Sequence, residues 1–175
     1  MGCGTRKRAG CIGVDIRKVE GVNALADASK LPFKDDSFDS VFLSHIVEHI
    51  LDLVSFMKEV WRVCKNHATI YIWTPHFTSH RSYGNPTHFH YLSSQFFDHF
   101  DRRTWQGKDF WVQPEIDFEI RTKQLRFNKD KRWFWNRIIE KIANKYLAPY
   151  EAVLAWIFPA NELYFELEAI KEQKR

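Results

Sequence analysis

The stretch "DASKLPFKDDSFDSVFLSHIVEH", residues 27–49, decides the fold, because its last six residues admit two incompatible structures. His45, Glu48 and His49 form H-x-x-E-H, in which two imidazoles one helical turn apart can clamp a zinc ion while the carboxylate serves as base. That reading needs a helix through the whole motif and a third ligand. The preceding residues argue otherwise. "KDDS" (34–37) is turn chemistry, and "FDSVFLS" (38–44) is an apolar run that carries a strand up to Ser44. The motif then straddles a strand end and the turn beyond it, and no metal is expected.

Upstream, "CIGVDI" (11–16) and "VNALADA" (22–28) are shorter apolar runs with an acid near the end of each. Apolar strands that finish on polar residues suit a buried parallel sheet whose carboxyl ends line a crevice. Downstream, Leu53, Phe56, Met57, Val60, Trp61 and Cys64 recur at spacings of three and four, which predicts an amphipathic helix. "NH" (66–67) closes it, and "ATIYIWTP" (68–75) is the next strand, giving a strand–helix–strand crossover.

Beyond Pro75 the chain to His90 is rich in His, Ser, Thr, Gly and Pro, a composition suited to a substrate loop. Ser93 or Ser94 is placed to cap a short helix reaching Phe100. "DFEIRTKQLRFN" (117–128) and "ELYFELEAI" (162–170) alternate as strands. In residues 135–147, Trp135, Ile138, Ile139, Ile142, Ala143, Tyr146 and Leu147 share one helix face, expected to be buried. With no repeat and no linker, 1–175 is expected to be one domain, with 1–74 and 75–175 as its two halves.

The 175 residues are 45% hydrophobic, with 15 Phe and 7 Trp, enough to bury a core and to exclude disorder. Three cysteines in no paired spacing suit a reducing cytosol, so a cytoplasmic location is expected, and no export leader or span-length apolar run is seen. The net charge of +4 permits an anionic partner without requiring one. Much of the excess lies in "RTKQLRFNKDKR" (121–132), either a solvated face or a nucleic-acid patch. "WFW" (133–135) adds aromatics that suit base stacking, a membrane surface or a core.

Taken together, "GCGTRKRAGCIGVDI", "ADASKLPFKDDSFDSVFLSHIVEHI" and "MKEVWRVCKN" resemble the S-adenosylmethionine-dependent methyltransferases of the Rossmann-like class, especially the type 11 group. The resemblance is strong from Gly2 to about Asn66 and fair to about Phe100. It implies an α/β fold with a mostly parallel sheet, an antiparallel final strand and helices on both faces. It further implies S-adenosylmethionine as cofactor and methyl transfer to an acceptor, a small molecule being favoured.

By that resemblance Gly2, Cys3 and Gly4 form the glycine loop near the cofactor's amino-acid end. Asp15 and Ile16 sit at its ribose, Asp27 and Ala28 at its adenine, and Ser44 on the strand rim. His45, whose ordinary pKa is near neutrality, is the candidate base or orienting group. His76, His88, His90 and Tyr91 are candidates for the acceptor side.

Two departures from the group's pattern stand out. Only Met1 precedes Gly2, so the sheet is expected to lack its first, central strand and to be N-terminally truncated. Only ten residues separate Gly4 from Asp15, so "TRKRAG" is expected to be a loop rather than the first helix. The alternative function is therefore a non-catalytic binding or scaffold domain that has lost the cofactor.

Overall fold

The computed structural model describes residues 7–109, 115–130 and 134–171. Gly2, Cys3, Gly4, Lys131, Arg132 and Trp133 lie outside them. Six strands are present among the described residues: β1 (Val14–Asp15), β2 (Ala24–Leu25), β3 (Phe38–Ser44), β4 (Cys64–Pro75), β5 (Phe118–Arg126) and β6 (Glu162–Ala169). The larger sheet has the order β3-β4-β6-β5. β3 and β4 are parallel, and β6 is antiparallel to both β4 and β5. Three of its strands thus run one way and the final strand opposes them, as expected of this α/β class.

β1 and β2 form a separate parallel pair. The two sheets meet through a small cluster in which Val14 and Leu31 pack with Val63. Val63 ends α1 (Leu53–Val63), a helix whose stripe Leu53, Phe56, Met57 and Val60 is buried as its spacing requires. Asp52 caps it by accepting from the Ser55 amide at 3.0 Å. From its last turn Arg62 reaches the carbonyls of Phe33 (2.9 Å) and Leu31 (3.2 Å), holding the 27–37 segment on the helix.

The main core lies between α1, the four-stranded sheet and the turn Phe96–Phe100, with Phe97, Phe118 and Phe165 fully buried. Two short helical segments, α2 (His80–Tyr83) and α3 (Trp105–Asp109), lie in the connection between β4 and β5. They are followed by α4 (Asn136–Lys145) and α5 (Leu147–Pro149).

Three expectations are corrected. The first two strands are only two residues long, because residues 11–13 and 16–23 go into turns. No turn separates α1 from β4, which starts at Cys64 and absorbs residues 65–68 as a bulge, with His67 at a φ of +64°. The apolar face of α4 is not buried: only Ala143 is enclosed, while Ile138 is 62% and Ile142 50% exposed.

Ile139 packs against the main core, and polar contacts along the β5 edge hold the rest of α4. Asn144 accepts from the Leu125 amide at 2.7 Å and donates to its carbonyl at 2.8 Å, and Glu140 accepts from the Phe127 amide at 3.0 Å. These contacts occupy the edge in place of a further strand.

Within the basic stretch 121–132, the side chains described up to residue 130 make local contacts. Arg121 pairs with Glu119 and Glu168, Lys123 with Asp98, and Lys129 with Glu140, while the Arg126 guanidinium lies over the Tyr164 ring. No described helix is long and apolar enough to cross a membrane.

Candidate functional site

A cleft of about 890 Å³ separates β1 from β3. One wall is the loop from Lys7 to Val14, which forms no helix, as the short spacing requires. The other is β3 from Phe38 to Phe42, with Ser44 and His45 at its carboxyl end and Trp73 of β4 behind. Arg8 reaches across and lies 4.3 Å from the Phe42 ring centroid and 5.5 Å from that of Trp73.

The edges of both strands turn toward this cleft. The Gly13 and Asp15 carbonyls bond the β2 side, and backbone direction alternates along a strand, so Val14 faces the opposite way. The His45 amide donates to the Trp73 carbonyl at 2.9 Å, so the Ser40 and Ser44 backbones face away from β4.

His45 leaves β3 with a φ of +52°, a conformation costly for a side chain larger than glycine and found often at functional rims. That turn sets its ring between two carboxylates. Nε2 is 3.5 Å from Glu162 Oε1 and Nδ1 is 3.4 Å from Glu48 Oε1. Glu162, and then Glu48, raise the His45 pKa to about 9, against a desolvation that would lower it. An imidazolium at neutral pH cannot accept a proton. The environment of His45 favours its charged form, which suits an orienting group.

Glu48 is buried at the start of a short turn (Val47–His49) and accepts from Thr74 Oγ1 at 3.1 Å through Oε2. Its Oε1 accepts no hydrogen bond, the 3.4 Å approach to His45 being a charge contact only. Glu162, at the first residue of β6, was not singled out in the sequence. Its register partner Pro75, across the ladder from the end of β4, is what brings it to the rim.

The proposed nucleoside-binding residues are dispersed. Asp15 is buried at the end of β1 and accepts from the Arg17 amide at 3.0 Å. Asp27 is spent on its own turn: Oδ1 accepts from the Ser29 amide at 2.8 Å and the Ser29 hydroxyl at 2.7 Å, which lowers its pKa. Neither carboxylate lines the cleft, although Ser44 does. Ile16 is 71% exposed, and Ala28 packs on the main core.

On the acceptor side the histidines divide. His76 is fully buried, 3.1 Å from Glu151 through Nε2 and 2.7 Å from Thr78 Oγ1 through Nδ1. Glu151 also receives the Ser94 amide and hydroxyl. Burial pushes the Glu151 pKa up, but the bonds from His76 and Ser94 outweigh it and hold it low. These contacts enclose His76 completely, away from the surface that an acceptor would approach. His90 donates through Nε2 to the Ile50 carbonyl at 2.8 Å. Tyr91 stacks on Tyr83 at 4.5 Å, half exposed. His88 meets His49 edge to face, with ring centroids 4.6 Å apart.

Comparison with known proteins finds a family match over part of the chain. The type 11 family model described as a methyltransferase domain matches residues 6–72. A demethylmenaquinone methyltransferase of Roseiflexus sp. is 36% identical over 55 residues, covering 31% of this chain and 23% of that one. Cycloartenol-C-24-methyltransferase 1 of Oryza sativa is 32% identical over 81 residues, covering 43% of this chain and 24% of that one. The matches thus span about a quarter of each curated relative's length.

The fold is similar to that of the YcgJ protein of Bacillus subtilis, with a TM-score of 0.56 at 18% identity over 93% of this chain and 83% of that one. It is also similar to an S-adenosylmethionine-dependent methyltransferase of Mesorhizobium loti, with a TM-score of 0.54 at 11% identity over 90% and 79%.

Proposed function

We propose that this chain, whose residues 6–72 are a type 11 methyltransferase segment set in the Rossmann-like methyltransferase fold, binds S-adenosylmethionine and transfers its methyl group to an acceptor. The supporting observation is the cleft between β1 and β3, with Gly13 and Val14 on one wall and Ser44 and His45 at the carboxyl end of the other. Its volume of about 890 Å³ lies within the range of small-molecule sites.

The residues present fit the cofactor in part. Lys7 and Arg8 offer positive charge to a carboxylate, Phe42 and Trp73 an aromatic wall, and Ser44 a hydroxyl at the rim. Asp15 remains the proposed ribose ligand at the end of β1, and Ile16, Gly2, Cys3 and Gly4 keep their family roles. Asp27, with Ala28, reaches an adenine only if its bond to Ser29 is exchanged for one to the base.

The bound sulfonium supplies an electrophilic methyl carbon, and displacement at it needs alignment more than acid–base help. The charged His45, fixed between Glu48 and Glu162, orients the acceptor. His88, His90 and Tyr91 shape the acceptor side, and a small molecule is the favoured class.

A second reading is a scaffold domain without cofactor, favoured by Asp15 and Asp27 both standing outside the cleft lining. Calorimetry separates the two. Saturable heat with S-adenosylmethionine or its demethylated product, weakened about tenfold or more by Asp15→Ala, supports the enzyme. No heat at millimolar ligand supports the scaffold.

A further inference from the structure

We infer that Glu48, His49 and His88 form a binding site for a divalent transition-metal ion of the zinc class, independently of whether the chain transfers methyl groups. One ligand atom from each lies within 4.8 Å of the others. A tetrahedral shell with bonds of about 2.0–2.1 Å sets ligand atoms about 3.4 Å apart, so small side-chain rotations close the set. The ligands differ from the His45/His49 clamp that the H-x-x-E-H spacing suggests. His45 is turned toward Glu162, and His88 arrives from a loop 39 residues further on.

The hydrogen bonds prepare both imidazoles. His88 Nδ1 is 2.9 Å from the Ser82 carbonyl, which only accepts, so Nδ1 carries the proton. His49 Nδ1 is 3.1 Å from the Thr87 carbonyl and 2.9 Å from Thr87 Oγ1. The single Thr87 hydroxyl proton goes to Asn85 Oδ1 at 2.9 Å, so here too Nδ1 is the donor. In the neutral ring with Nδ1 donating, Nε2 is the nitrogen available to a metal. A ligating histidine whose other nitrogen donates to a carbonyl is the usual outer arrangement of a metal site.

The third ligand supplies an independent indication. Glu48 is 1% exposed, and its Oε1 is a buried polar atom that accepts no hydrogen bond. Its one charge contact is the His45 ring at 3.4 Å, too long for a good hydrogen bond, so a bound cation would satisfy the buried oxygen more fully. Two imidazoles and one carboxylate favour zinc, cobalt or nickel over magnesium or calcium, which prefer all-oxygen shells. The ion would tie the turn after β3 to the loop 84–91. Besides the His49–Thr87 contacts, bonds from the Phe89 amide to the Glu48 carbonyl and from His90 to the Ile50 carbonyl, both at 2.8 Å, already link these segments.

The test uses chelator-treated, untagged full chain titrated with Co(II), followed by displacement with Zn(II). One equivalent of Co(II) with the visible absorption of a four- or five-coordinate site, together with a raised melting temperature, is expected. His88→Gln and His49→Gln should each weaken binding about 100-fold, and Glu48→Gln should do the same while keeping the side chain's shape. His45→Ala and the surface change His80→Ala should leave binding in place. Circular dichroism of the metal-free variants checks that each is folded. Absence of saturable binding overturns the site, as does binding that survives all three ligand changes. Binding lost in His45→Ala but kept in His88→Gln would assign the ion to the sequence-derived clamp instead.

Discussion

Replacing Glu162 by Gln should release His45 from its charged state. The Glu162 hydrogen bond is the largest cause that raises the His45 pKa from 6.5 to about 9. A displacement of that size corresponds to about 3 kcal/mol of preferential stabilisation of the imidazolium. The His45 side chain is 41% exposed, so solvent screening leaves about 1 kcal/mol as its contribution to folding.

Because the folded pKa is the higher one, this contribution is complete below pH 6.5 and is lost as pH rises toward 9 and beyond. The Glu162 pKa is lowered by the same partner, so its contribution is present above its ordinary value of 4.5 and is lost as pH falls below it. Two measurements read this out: the His45 Cε1–H resonance followed by NMR, and urea unfolding at pH 6, 7.5 and 9 (about the limits of that window). Wild type should titrate near 9 and lose about 1 kcal/mol over that range. In Glu162→Gln the titration should fall toward the ordinary range and the stability profile should flatten. A wild-type His45 that titrates near 6.5, or a variant with an unchanged titration, would refute the two-carboxylate clamp.

Phe97→Ala should cost about 3–5 kcal/mol in chemical denaturation, because the ring is fully buried and meets Phe165 edge to face at 4.8 Å. The Cys64 thiol, pushed up to about 12 by burial, should not react with a disulfide reagent in the native protein. Cys64→Ser should therefore leave native labelling unchanged and remove one reactive thiol only after unfolding.

Where periodicity and burial agree, the sequence is readable. β3 occupies 38–44 as its turn and apolar run require, and α1 buries the stripe that its spacing marks out. β6 opposes its neighbours as the family resemblance implies. The fusion of α1 to β4 was not legible, because "KNH" carries no strand signal and the bulge around His67 is imposed by pairing with β3. The α4 stripe looked like core because periodicity reports amphipathicity and not which face finds a partner. Here Ile139 packs on the core, and Asn144 and Glu140 make the rest of the attachment through side-chain bonds to the β5 edge.

The site was legible only along the chain. Ser44 and His45 stand at the strand end that the sequence indicates, but the charge on His45 owes most to Glu162, more than a hundred residues away. The same distance problem hid the meeting of His88 with His49, which depends on how the loop after β4 folds back onto Glu48.

The most direct measurement is an amide-shift map of the ¹⁵N-labelled chain titrated with S-adenosylhomocysteine. Saturable shifts are expected at Gly13 and Val14 and at Ser44 and His45, on the two walls of the cleft, and at the proposed ribose ligand Asp15 beside them. Saturable shifts confined to other surfaces, or an unchanged spectrum at millimolar ligand, would contradict the proposed cofactor site.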